Sequence, residues 1–168
     1  INKVIDENQE GKEVEDEVTV TPSPSNSKEG TVKIDENGKQ YIEWEIVVNS
    51  NKLNIGQFTI QDRFDTSIHT LVEDSIKIEP KANYEATQAV GGFDLTVTPE
   101  TIPSEETFTI TYKTYITDVG LKQNEINNKA TVIFNSTGAG SGIDESFESE
   151  GVDVSVIPKV PQLNKKGD

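Results

Sequence analysis

Lys28, Asp62 and Asn128 are an amine, an acid and a carboxamide, and each falls where strand alternation turns a side chain inward. Asn128 shares its parity with Ile126, Ala130 and Val132, whereas Asn127 goes with Lys129, Thr131 and Ile133. Asp62 continues the face of Phe58 and Ile60. Lys28 has the parity of Val32 and Ile34 if the strand runs through Gly30, and Lys33 has the opposite one. Polar groups removed from water are costly unless they satisfy one another. This trio has the parts of a covalent clasp, in which an amine displaces an amide nitrogen. Desolvation among Trp44, Tyr112 or Phe134 would lower the pKa of the lysine, as a nucleophile requires, and raise that of the acid. A protonated Asp62 could then polarise the Asn128 carbonyl and relay protons as ammonia leaves. Such a reaction runs once, so it is self-modification and not enzymatic turnover. The plainer alternative keeps Lys28 in an exposed linker, Asp62 as a turn acid and Asn128 as a hydrogen-bonded core amide.

Other clusters carry less. Asp6, Asn8, Glu10 and Glu17, with Gly11 at the sixth place, match the oxygen-ligand spacing of a calcium loop. Glutamate at the fifth place, Glu13 at the usually apolar eighth and the lack of flanking helices argue instead for a solvated hairpin tip. His69 is the single histidine and there are no cysteines, which leaves no zinc set. Ser67, His69 and Asp74 lie on one local segment without a nucleophile motif. The run Gly138–Gly142 lacks the lysine of a phosphate loop and reads as a hairpin tip. Asn135-Ser136-Thr137 is a glycosylation sequon, of little meaning in a bacterial host.

The elements that must position the trio are strands. Tyr41–Ser50 alternates with Ile42, Trp44, Ile46 and Val48 on one face. Gln57–Asp62, Thr107–Thr117 and Glu125–Phe134 alternate likewise, and Ser75–Pro80, Phe93–Thr98 and Val152–Val156 are weaker strands. Turns are expected at Asn37-Gly38, Gly91-Gly92 and Pro99–Ser104, and a short helix after Thr117. Many short strands at regular spacing predict an all-β, antiparallel β-sandwich. Val18-Thr19-Val20-Thr21-Pro22 with Lys28 is echoed by Val154-Ser155-Val156-Ile157-Pro158 with Lys165, as in a unit cut from a tandem array. Residues 1–27 are then the tail hairpin of a preceding repeat with a Pro/Ser linker, 28–163 the main unit, and 164–168 the start of the next. Residues 1–27 also fit an N-terminal strand of the same sandwich, or a strand given to a neighbouring chain.

A net charge of −15 excludes a basic nucleic-acid face and disfavours an anionic membrane surface. No apolar run approaches the roughly 18–20 residues of a membrane helix. The first residues show no signal-peptide pattern, as in a mature or excised segment. The chain has neither cysteine nor methionine, which suits an exposed protein that must resist oxidation without disulfides.

The succession Trp44-Glu45-Ile46-Val47-Val48-Asn49, Phe58-Thr59-Ile60-Gln61-Asp62, Asp74-Ser75-Ile76-Lys77-Ile78, Thr109-Ile110-Thr111-Tyr112-Lys113-Thr114 and Asn128-Lys129-Ala130-Thr131-Val132 resembles a known family. It is that of the immunoglobulin-like repeats of Gram-positive wall-anchored adhesins of the collagen-adhesin type, with the related fimbrial isopeptide-forming domains. The resemblance covers Lys28 to Pro158. It implies an immunoglobulin-like sandwich in an extracellular, cell-wall-anchored stalk or adhesive head. It also implies a Lys28–Asn128 isopeptide bond assisted by Asp62. Implied partners are neighbouring repeats and, in a ligand-binding head, a host matrix protein such as collagen or fibrinogen. A fibre subunit polymerising by strand donation is a further reading. Tyr84, Tyr115 and Phe147 are the aromatics expected at a binding face, and their small number favours a stalk. No sortase-type motif occurs in this stretch, so anchoring is expected from elsewhere in the parent protein.

Overall fold

The computed structural model describes residues 23–135, 146–148 and 152–155. Ten strands follow in order: β1 Ser27–Ile34, β2 Gln40–Val48, β3 Phe58–Arg63, β4 His69–Glu79, β5 Asn83–Ala89, β6 Gly92–Thr98, β7 Phe108–Ile116, β8 Glu125–Phe134, β9 Ser146–Glu148 and β10 Val152–Ser155. One sheet has the order β1-β2-β7-β4 and the other β10-β8-β3-β6-β5, with β9 also on β8. All pairings are antiparallel.

Period-2 patterning builds this sandwich. Along β2 every second residue from Gln40 to Val48 is buried, and β7 buries Phe108, Ile110, Tyr112, Thr114 and Ile116. Facing them are Phe58 and Ile60 of β3, Leu95 and Val97 of β6, and Ile126, Ala130 and Val132 of β8. Phe58 meets Phe108 and Phe134 at ring distances of 5.7 and 5.9 Å, so aromatics fill one end of the core. Burying such side chains contributes about 1.5–3 kcal/mol each.

Local chemistry sets the connections. In the β1–β2 hairpin Asp35 Oδ1 accepts from the Asn37 and Lys39 amides, and Gly38 takes the left-handed φ of +81°. Ser23 to Asn26 fasten to the end of β2: Asn26 Oδ1 accepts from the Asn49 amide, and Asn51 Oδ1 from the Ser25 amide.

Several expectations change in extent. The strand expected at Ser75–Pro80 begins at His69, because an irregularity between Val72 and Lys77 interrupts its parity. β5 was not among the expected strands. The segment after Thr117 forms a single 3-10 turn, Gly120–Lys122, in place of a short helix. β1 is continuous through Gly30, but Ile34 at its end is half exposed, beyond the cover of the opposite sheet. No described helix is long and apolar enough to cross a membrane.

Candidate functional site

The two sheets bring Lys28, Asp62 and Asn128 into one buried cluster, with Tyr112 at its centre. Lys28 lies on β1 and Tyr112 on β7, both in the first sheet. Asp62 and Asn128 lie on the adjacent strands β3 and β8 of the second, where Asp62 pairs with Ala130, two residues along from Asn128. The lysine therefore reaches across the gap between sheets, and its side chain and that of Asp62 are both fully shielded from solvent. Lys33, of opposite parity, is exposed and pairs with Glu43.

Lys28 Nζ donates to Asp62 Oδ2 at 3.0 Å. Tyr112 Oη donates to the same oxygen. Asn128 Nδ2 donates in turn to Tyr112 Oη at 3.4 Å. Asp62 Oδ1 and Asn128 Oδ1 are buried with no hydrogen-bond partner. The walls are aromatic: Lys28 Nζ sits 4.9 Å from the Trp44 ring centroid and 5.8 Å from that of Tyr112. Phe93 packs edge-on against Tyr112 at 5.2 Å.

Burial governs the ionisation of this pair. Desolvation pushes the Lys28 pKa down, against the opposing pull of Asp62. It pushes the Asp62 pKa up, against the opposing pull of Lys28 and of the Tyr112 hydroxyl. Tyr112 is held well above its usual range by burial and by the neighbouring acid. Both shifts run toward the uncharged forms, because a dry interior penalises each charge. A nucleophilic lysine needs its uncharged form.

Two glycines shape the pocket. A Cβ on Gly30 would lie 2.6 Å from Trp44 Cζ3, so the bare backbone there admits the indole beside Lys28. Gly92 has φ +144°, and its Cβ would stand 1.9 Å from the Asp62 carbonyl oxygen. Arg63 Nη1 donates to that same carbonyl at 3.0 Å and ties down the acid's backbone.

A second buried polar group adjoins the cluster. His69 is fully buried, stacked on Phe64 at 4.3 Å, with Nδ1 2.9 Å from Thr114 Oγ1. The same hydroxyl accepts from Trp44 Nε1 at 2.9 Å. His69 Nε2 has no partner. Burial lowers the His69 pKa from 6.5 to about 4. Ser67 and Asp74 do not join it: both are exposed, and the Ser67 hydroxyl donates to Asp65. Sequence reading missed this network and the hydroxyl role of Tyr112, although inward parity was a signal for both Tyr112 and Thr114.

The calcium residues Asp6, Asn8, Glu10 and Glu17 lie outside the described residues. Among the described residues no group of three or more His, Cys, Asp or Glu could hold a metal ion. Asn135 binds Gln57 through its side chain at 2.9 Å. Tyr84 is 46% exposed, whereas Tyr115 is half-buried against Tyr41. The Phe147 side chain lies outside what is described.

No protein-family model matches the sequence, and neither does any curated protein. Solved structures do match. The collagen-binding subdomain ACE19 of the Enterococcus faecalis surface protein ACE aligns with a TM-score of 0.58 at 18% identity, covering 80% of this chain and 99% of that one. The collagen-binding domain of a Staphylococcus aureus adhesin gives 0.53 at 18%, covering 79% and 99%. The full-length major pilin SpaD of Corynebacterium diphtheriae gives 0.51 at 18%, covering 77% of this chain and 34% of the pilin. What this chain shares with those Gram-positive adhesin and pilin modules is their fold, an antiparallel immunoglobulin-like β-sandwich.

Proposed function

We propose that the chain is a structural repeat of a bacterial surface adhesin or stalk, clasped by an isopeptide bond that forms between Lys28 and Asn128 with Asp62 as proton donor and acceptor. The observation that supports this above all is the solvent-free contact of Lys28 Nζ with Asp62 at 3.0 Å, joined through Tyr112 to the Asn128 carboxamide. The fold shared with adhesins and a pilin supports an extracellular surface location and neighbouring repeats as partners. The clasp would tie β1 to β8 across the sandwich and close a loop of about 100 residues. By analogy with a disulfide, that removes about 4–5 kcal/mol of unfolded-state entropy. A strand held this way resists extraction when the ends of an array are pulled.

Intact-mass spectrometry of the denatured chain tests the reading. The expected mass is that of the translated sequence less one ammonia, with a branched peptide joining Lys28 to Asn128. Asn128→Ala and Asp62→Ala restore the translated mass. A wild-type chain at the full translated mass refutes the clasp.

A groove lined by Phe64, Leu71, Val90 and Phe93, with Val90 99% exposed, favours a second reading, a ligand-binding module for a host matrix protein. Binding to immobilised collagen that Val90→Glu abolishes would support it, and no binding by the wild type would dismiss collagen.

A further inference from the structure

We propose that Tyr112 is itself a catalytic residue of the cross-linking reaction, the group that hands a proton to the departing Asn128 nitrogen. The proposal rests on the clasp reading above and assigns a role to the one hydroxyl that touches both the acid and the leaving group.

Hydrogen-bond capacity fixes where the acid's proton sits. Asp62 Oδ2 already accepts from Lys28 and from Tyr112, which uses both of its lone pairs. The proton of the neutral acid therefore belongs on Oδ1, which accepts from nothing. The Asn128 carbonyl oxygen is the other buried atom of the cluster without a partner, and it is an acceptor. In the proposed reaction one proton, passed from Asp62 Oδ1 to Asn128 Oδ1, serves both atoms. Tyr112 accepts from Asn128 Nδ2, which seats the leaving nitrogen on the phenol.

The proton transfers then balance. As Lys28 Nζ bonds to Asn128 Cγ, Asp62 Oδ1 gives its proton to the amide oxygen. The attacking nitrogen passes one of its protons to Asp62 Oδ2, along the 3.0 Å hydrogen bond. The hydrogen bond between Oδ2 and Tyr112 now reverses: the acid donates to the phenol oxygen, and the phenol O–H donates to Nδ2. Transfer along this pair protonates the nitrogen, the Cγ–Nδ2 bond breaks and ammonia leaves. The Cγ hydroxyl returns its proton to Asp62 Oδ1 as the new amide carbonyl forms. Asp62 and Tyr112 end as they began. The phenol stays neutral at rest because burial beside an acid disfavours the phenolate.

The test is the rate of ammonia loss, followed by intact mass on the full chain made in a short cell-free pulse and chased at fixed pH. Tyr112→Phe keeps the ring and removes the hydroxyl. It is expected to accumulate folded, unlinked chain, with linking slowed about a hundredfold, as for loss of a general acid. Trp44 fluorescence reports the fold. Fluorinated tyrosines placed at position 112 keep the shape but make the phenol more acidic, and their linking rates are expected to change with that acidity. A packing role would not respond to it. Tyr112→Phe linking at the wild-type rate overturns the proposal. If that variant does not fold, equal rates across the fluorotyrosines overturn it instead. Failure of the wild type to lose ammonia would sink the clasp itself, a different result from a wild type that links and a Tyr112→Phe that links equally fast.

Discussion

Gly30 lies directly opposite Trp44 in the β1–β2 register, and the indole occupies the space where a side chain on residue 30 would begin. Trp44 in turn covers the Lys28 amine and donates to Thr114. The glycine thus decides how dry the lysine is, two residues away from it along the strand.

Gly30→Ala is accordingly expected to push Trp44 out of place. Overpacking of this kind costs about 1–3 kcal/mol. In an Asn128→Ala background, which removes any contribution from a cross-link, the urea midpoint should fall by that amount. Trp44 is the sole tryptophan, so its emission should shift to the red as water reaches the ring. In the wild-type background, linking should slow because a wetter amine keeps its proton.

Two substitutions at Asp62 separate chemistry from packing. Asp62→Asn leaves an oxygen for Lys28 and Tyr112 but removes the carboxylic proton. Asp62→Ala also leaves the amine and the phenol buried without an acceptor, at about 1–3 kcal/mol for each lost partner. Both variants should keep the full translated mass. Denaturant unfolding should find the alanine variant the less stable by about 2 kcal/mol or more.

Parity placed Lys28, Asp62 and Asn128 on inward faces because it depends only on alternation along each strand. It cannot say which inward residue on one sheet meets which on the other, so the Tyr112 hydroxyl bridging acid and amide was not legible. Glu125–Phe134 matches the expected strand end to end, since buried and outward residues alternate along its whole length. β5 was invisible for the opposite reason. Asn83 to Gln88 are exposed on both faces of an edge strand, and no alternating hydrophobicity is needed there. The first half of β4 was hidden by the break between Val72 and Lys77, and with it the inward position of His69.

The His69 pocket predicts an acid-sensitive step in stability. Thr114, Trp44 and Phe64 enclose the ring, burial lowers its pKa, Lys28 lowers it further and Asp65 opposes. An imidazole whose folded pKa lies below its unfolded one favours the folded state above the unfolded value. That contribution is lost as pH falls from 6.5 to about 4. It amounts to as much as about 3 kcal/mol. The Lys28–Asp62 pair is common to Asn128→Ala with and without His69→Asn, so the difference between those two chains reports the imidazole. Urea titrations of Asn128→Ala across this range should show the loss, and His69→Asn should flatten it.

Gly92 gives the sharpest structural prediction. It pairs with Arg63 in the β3–β6 register, with a φ of +144° that an L side chain rarely adopts. Its Cβ would collide with the Asp62 carbonyl oxygen at 1.9 Å, which is backbone and cannot swing aside. Arg63 holds that carbonyl and the Phe93 carbonyl, both at 3.0 Å, so the acid is fixed between a guanidinium and a bare glycine. Gly92→Ala must therefore move β3 or β6, and Asp62 with it. Strain at such a backbone position costs about 1–3 kcal/mol before the clash is counted. The variant should lose more stability than Gly30→Ala, since a displaced indole can relax and a strand pair cannot. It should also link more slowly than Gly30→Ala by intact mass, because it displaces the proton donor itself and not the ring that shields the amine. Wild-type linking in Gly92→Ala, with an unchanged urea midpoint, would show that the close approach of these two strands does not position Asp62.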